Sequence, residues 1–239
     1  MKYVAFDIET YGSVEHPEGI TCAATLTEDG ELRIWKPSEG DDGRYKPRME
    51  PEQLVGMLDY LENEWIVNER RPLAFNGMSF DFRVLHEQLL GHDFGQALAR
   101  GLALVQLDPA LHMLAEKGFM CGLQAMSAAM GASGKLEGFD GHKAAELWMT
   151  GTREDQEMIL KYVAQDVVTT REVYEAICRV GAVRWVKRNG GIGQWIPGTR
   201  SILSAKDVIE RGFVGRPPWW TGDSYPWTKE NVLGWLAPK

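Results

Sequence analysis

Cysteine is scarce: Cys22, Cys121 and Cys178 are the only three in 239 residues, far apart and without a CxxC pair. That excludes a disulfide framework and gives no support to a zinc site, so reduced thiols are expected. Long apolar runs are missing as well, and none approaches the roughly 20 residues that span a bilayer. The opening MKYVAFDIET puts acids where a signal peptide needs an unbroken apolar stretch, so secretion is not expected and a cytoplasmic location is. Internal repeats and low-complexity tracts are absent, which removes solenoids and disordered linkers from consideration. What is present is the composition of an ordinary globular chain, long enough for a full hydrophobic core.

A surplus of basic residues is also lacking, since the net charge is −8. Phosphate binding usually rests on Lys and Arg, so the total alone argues against a nucleic-acid partner. The distribution reverses that argument. Residues 181–220 carry +5 (Arg184, Lys187, Arg188, Arg200, Lys206, Arg211 and Arg216 against Asp207 and Glu210), residues 221–239 are neutral, and the first 180 residues carry −13. An acidic part suits divalent cations and a basic part suits a polyanion, although two solvated faces would give the same count.

KYVAFDIET alternates apolar and polar residues and reads as a strand. ITCAATLT and ELRIWKP, separated by the turn signal EDG, extend it as a hairpin. Residues 51–70 open on Pro51 and place Leu54, Met57, Leu58, Leu61 and Trp65 at helical spacing. The run PLAF, ending in Asn76-Gly77, reads as a strand, FDFRVLHEQLLG as a helix, GLALVQLD as a buried strand, and GLQAMSAAMG as a small helix closed by Gly131. Residues 131–151 read mostly as loop. Residues 153–179 give the strongest helical pattern, and two short helix starts follow at SAKD (204–207) and TKEN (228–231). The sum is an α/β sheet with helices packed on it.

Asp7 and Glu9 are one residue apart on the first strand, so they project from one face while Val4, Phe6 and Ile8 project from the other. Two adjacent carboxylates repel unless a cation neutralises them. Asp81 falls near the start of a helix, where a carboxylate is favoured by the helix dipole, and Tyr162 and Asp166 share a helix face at i and i+4. Each signal alone has a plainer reading: an exposed strand edge, a helix-capping acid, a core tyrosine beside a surface aspartate.

Their order is more specific than any one of them. D-x-E on the first strand, N-G-x-x-F-D at a strand-to-helix junction and Y-x-x-x-D on a late helix resemble the three motifs of the DEDD exonucleases, the RNase H-like superfamily that includes polymerase proofreading domains and ribonuclease D. Lys161 stands where one subgroup has histidine and Tyr162 stands four before Asp166, so the tyrosine subgroup, DEDDy, is the one resembled. LVQLDPALHM followed by GLQAMSAAMG is similar to the segment between the second and third motifs of family B polymerase exonuclease domains. The resemblance implies an RNase H-like mixed sheet with helices on both faces over residues 1–180, followed by a Trp/Pro-rich basic C-terminal extension at 181–239.

It further implies two Mg²⁺ or Mn²⁺ ions held by Asp7, Glu9, Asp81 and Asp166, with Asp7 bridging, Glu9 and Asp166 on the ion that generates the nucleophile, and Asp81 on the other. Tyr162 would position the attacking water, a phenol being too weak a base to act alone at neutral pH. Thr10 and Asn76 sit where the family contacts the terminal nucleotide. The implied reaction releases nucleoside 5′-monophosphates from a 3′ end, single-stranded DNA preferred and RNA possible. An endonuclease and a non-catalytic nucleic-acid-binding module remain as alternatives. In the C-terminal extension, basic residues interleaved with Trp185, Trp195, Trp219 and Trp220 would either bind single strands by stacking or simply pack; packing is the favoured expectation.

Overall fold

The first strand carries apolar side chains in both directions, and that decides the layering. In the computed structural model, which describes residues 1–12, 16–134, 141–222 and 224–237, it forms β1 (Tyr3–Gly12). β1 pairs antiparallel with β2 (Pro17–Thr27), and β2 pairs antiparallel with β3 (Leu32–Trp35). The helix α1 (Pro51–Ile66), opened by Pro51 and a capping box between Glu50 and Gln53, returns the chain to β4 (Arg71–Leu73), parallel to β1. The order β3-β2-β1-β4 makes a mixed sheet.

Six helices follow: α2 (Asp81–Gln88), α3 (Asp93–Val105), α4 (Pro109–Lys117), α5 (Leu123–Met130), α6 (Gly141–Thr150) and α7 (Arg153–Val180). They divide between the faces of β1. Val4, Phe6 and Ile8 join Leu54, Leu58 and Leu61 of α1, Phe82 of α2 and Leu102 of α3 in one buried cluster. Tyr3 and Ala5 join Cys22 and Ala24 of β2, Met126 of α5, Trp148 of α6 and Ile159, Val163 and Val167 of α7 in another. Alternation along the strand therefore aims Asp7 and Glu9 at the α7 side. α7 is fixed at both ends, by a capping box between Thr152 and Asp155 and by Gly181 in the left-handed region (φ 67°).

Two expectations are corrected. GLALVQLD is not a strand: α3 runs through Val105, and only Leu107 joins the sheet, as a parallel bridge to Leu73. Short apolar runs do not distinguish a strand from a buried helix, and the stripe Leu98, Ala99, Leu102, Ala103 begins upstream at a helix capped by His92. Nor are the described residues of 131–151 mostly loop. α6 occupies 141–150 with Ala144 and Trp148 buried one turn apart, while 135–140 lie outside the described residues. The strand expected at PLAF is shorter than expected, ending at Leu73.

Beyond α7 the chain forms a hairpin absent from the sequence reading, β5 (Val183–Val186) with β6 (Ile192–Trp195), then α8 (Ala205–Arg211) and α9 (Lys229–Leu233). The last two start at their expected caps, Ser204 and Thr228. Ala205 N–H donates to the Gln106 carbonyl, and Val208, Val232 and Leu233 enter the same cluster as Phe6. The tryptophans divide: Trp195 is 6% exposed with its Nε1 donating to Glu116, whereas Trp219 is 59% exposed.

Candidate active site

β4 is only three residues long, so past Ala5 the edge of β1 that β4 would have covered is left open. The open edge is the floor of a cleft of ~430 Å³. Asp7, Glu9 and Thr10 reach it from β1, Asn76 from the β4–α2 turn, Asp81 from the first position of α2, and Tyr162 and Asp166 from one face of α7. All seven residues expected at the catalytic site thus line one cavity.

The carboxylates are drawn together unequally. Oxygen atoms of Asp7, Glu9 and Asp166 lie within 4.8 Å of one another. Asp81 stands outside that trio, and its Oδ1 accepts a hydrogen bond from the Ile8 main-chain N–H at 3.2 Å, midway between Asp7 and Glu9 along the strand. The position at the start of α2 also favours its negative charge. Glu9, Asp81 and Asp166 are buried, Asp7 is partly exposed, and Tyr162 is 1% exposed. Glu9 and Thr10 both face the cleft although they are consecutive. Pairing with β2 slips there, Glu9 opposite Cys22 and Thr10 opposite Ile20, and a bulge of this kind re-aims a strand.

Asn76 is held in the left-handed region, φ 67°, which asparagine tolerates better than most residues. Asp108 supplies the restraint. Its carboxylate accepts from Asn76 N at 3.0 Å and Met78 N at 3.1 Å while capping α4 through Ala110 N and Leu111 N. Burial raises the Asp108 carboxyl above its ordinary range, and these donors oppose the rise. From the other side Trp235 Nε1 donates to the Met78 carbonyl at 3.0 Å. The Asn76 side-chain oxygen is itself buried without a hydrogen-bond partner among the described residues, an acceptor left over at the cleft wall.

Sequence reasoning missed Phe75, Phe80 and His142, which also line the cleft. The two phenylalanines flank Asn76 and Asp81 in the segment that drew attention, so adjacency was a usable signal. His142 lies in the first turn of α6, in the stretch expected to be loop, and carried none.

Three carboxylates converging in a partly dry cleft repel one another, and their acceptor-only oxygens match a hard divalent cation such as Mg²⁺ or Mn²⁺. A direct consequence is that Mg²⁺ is expected to raise the thermal midpoint, by the equivalent of about 2.7 kcal/mol at a hundredfold excess over Kd. Differential scanning fluorimetry with and without EDTA measures it. An unchanged midpoint across millimolar Mg²⁺ and Mn²⁺ would remove the cation from this cleft.

A family model described as the RNase_H superfamily matches residues 4–178. No curated protein matches the chain. Among solved structures, the chain is similar to the family B DNA polymerase from the hyperthermophilic archaeon Pyrobaculum calidifontis, with a TM-score of 0.51 and 17% identity over 74% of this chain. The similar part is 24% of the polymerase chain, and at that identity the likeness concerns the fold. Among the described residues, no helix is long and apolar enough to cross a membrane.

Proposed function

Since the chain belongs to the RNase_H superfamily, we propose that it is a metal-dependent 3′–5′ exonuclease of DEDDy type, releasing nucleoside 5′-monophosphates from single-stranded DNA. The observation that carries this is the convergence of Asp7, Glu9 and Asp166 within 4.8 Å, in one cleft with Asp81 and Tyr162. A cytoplasmic setting accords with three cysteines that are all free.

In this reading Asp7, Glu9, Asp166 and Asp81 are the residues that would hold two Mg²⁺ or Mn²⁺ ions. Bound there, the ions supply Lewis-acid activation of water and charge neutralisation at the scissile phosphate. The chain's own residues supply position. Tyr162, one helical turn before Asp166 on α7, offers its hydroxyl to the attacking water. Thr10 at the bulge and the side-chain amide of Asn76, both lining the cleft, would contact the terminal nucleotide. Asp81, tied to Ile8 N–H, keeps its carboxylate in register with the strand that carries Asp7 and Glu9.

The test is digestion of 3′-labelled and 5′-labelled single strands of DNA, matched RNA strands, and a circular single strand, each with Mg²⁺ or EDTA. Metal-dependent stepwise shortening from the 3′ end supports the reading, and cutting of the circle would make the enzyme an endonuclease instead. Faster digestion of RNA would move the substrate to the ribonuclease D side. Within the same assay Tyr162→Phe is expected to lower kcat roughly 10- to 100-fold with KM little changed, as for a group that acts on the attacking water and not on substrate binding. A rise in KM at constant kcat would instead assign the hydroxyl to binding.

A further inference from the structure

A second cavity, ~630 Å³ and larger than the acidic cleft, opens where the C-terminal segment meets the loop between α4 and α5. Its walls are Phe119 from that loop, Trp185, Lys187 and Arg188 from the β5–β6 hairpin, and Trp219 and Trp220 from the segment after α8. None of the described residues lining it is acidic, although acids outnumber bases in the chain as a whole.

The cavity is built rather than incidental. Phe119 meets the Trp185 ring edge-on at 5.7 Å and the Trp219 ring edge-on at 5.3 Å, which leaves indole surface turned away from both contacts. Trp185 lies across its hairpin partner Gly193, where any side chain would collide with the indole. Gly193 has ordinary backbone angles, so the ring, and not the main chain, calls for glycine there. The C-terminal segment is strapped to the end of α4 by Val214 N to the Ala115 carbonyl at 2.9 Å and by Tyr225 Oη to the Gly118 carbonyl at 2.6 Å. Among these fixed aromatics, Trp219 is 59% exposed and Lys187 and Arg188 are exposed.

We infer that this cavity is a second nucleic-acid site, in which bases of a single strand stack on Trp219 and Trp185 while Lys187 and Arg188 meet its phosphates. The chemistry decides the occupant. An apolar protein segment has no use for two cations at the mouth, whereas a single strand brings a phosphate with every π-faced base. The inference rests on the proposed function only in taking nucleic acid as the substrate. It adds a holding site for the part of the strand that lies away from the reacting end.

The experiment is fluorescence anisotropy of 5′-labelled dT20 with the full-length protein in EDTA, so that nothing is cleaved, repeated across a salt series. Lys187→Gln/Arg188→Gln is expected to weaken binding about tenfold and to reduce the slope of log K against log salt by roughly 1.4, the value for two phosphates of a single strand. Trp219→Ala is expected to weaken binding roughly tenfold with the slope unchanged, as loss of stacking requires. The charged pair is exposed, so its replacement leaves the fold intact, and circular dichroism verifies this for Trp219→Ala. Wild-type affinity and slope in all variants, the result for a groove that holds a protein segment, would overturn the inference. Cleavage without this slope change removes the second site and leaves the exonuclease reading. A slope change without metal-dependent cleavage does the reverse.

Discussion

Replacing Asp7 with Asn is expected to lower metal-dependent nucleotide release by about a thousandfold or more. Asp7 belongs to the trio with Glu9 and Asp166 and is its most exposed member. The substitution keeps the volume and removes one negative charge from the cation set. A bound metal contributes several kcal/mol of transition-state stabilisation, and about 4 kcal/mol corresponds to a thousandfold in rate. The same change is expected to raise the stability of the metal-free protein, by roughly 1 kcal/mol, because it relieves repulsion within 4.8 Å. Release rates and urea denaturation in EDTA test both signs together. A variant that is slower but also less stable would point to a packing role, and full activity would dismiss the site assignment.

The second large effect concerns a residue that touches no substrate. Asp108→Ala is expected to destabilise the protein by roughly 4 kcal/mol or more, a large part of the ~5–15 kcal/mol of a typical domain. Asp108 is buried and accepts from four main-chain N–H groups, at Asn76, Met78, Ala110 and Leu111. Each buried donor left without an acceptor costs about 1–3 kcal/mol, and the loss of a helix cap adds about 1 kcal/mol. Asp108→Asn keeps one acceptor oxygen and should recover part of the loss. Because Asn76 hangs from this carboxylate in a left-handed conformation, kcat/KM is expected to fall as well, even where the variant remains folded. Chemical denaturation gives the first quantity. A loss below about 1 kcal/mol would mean that water replaces the carboxylate without penalty.

How much of this was legible in the sequence differs by element. β1 was readable because KYVAFDIET is rich in aromatic and β-branched residues and alternates from Phe6 to Glu9, and α7 because a 3.6-residue period runs through residues 153–179. The acids were readable because they sit on those two elements, and the i, i+4 spacing of Tyr162 and Asp166 survives intact on α7. GLALV misled because its apolar run is too short to reveal its own period, and the helix that claims it starts with His92. α6 was hidden by glycines on either side of it. The β5–β6 hairpin was hidden because its strands have four residues each. His142 depended on α6, so it went unseen with it. The role of Asp108 needed coordinates, since Asp before Pro announces a helix cap but not the turn 30 residues upstream that the same carboxylate holds.

β1 is enclosed on both faces, with Phe6 packed against Phe82 on one side and Ala5 against the α7 cluster on the other. Its two acids therefore also act while the chain is folding. A slip of one residue against β2 would drive Asp7 and Glu9 into the layer built from Leu54, Leu58 and Leu102 and turn Phe6 and Ile8 out toward the cleft. Burying even one unpaired carboxylate there is prohibitive, so the misaligned strand is rejected before it can pack. The charges that weaken the finished protein thus proofread its own assembly.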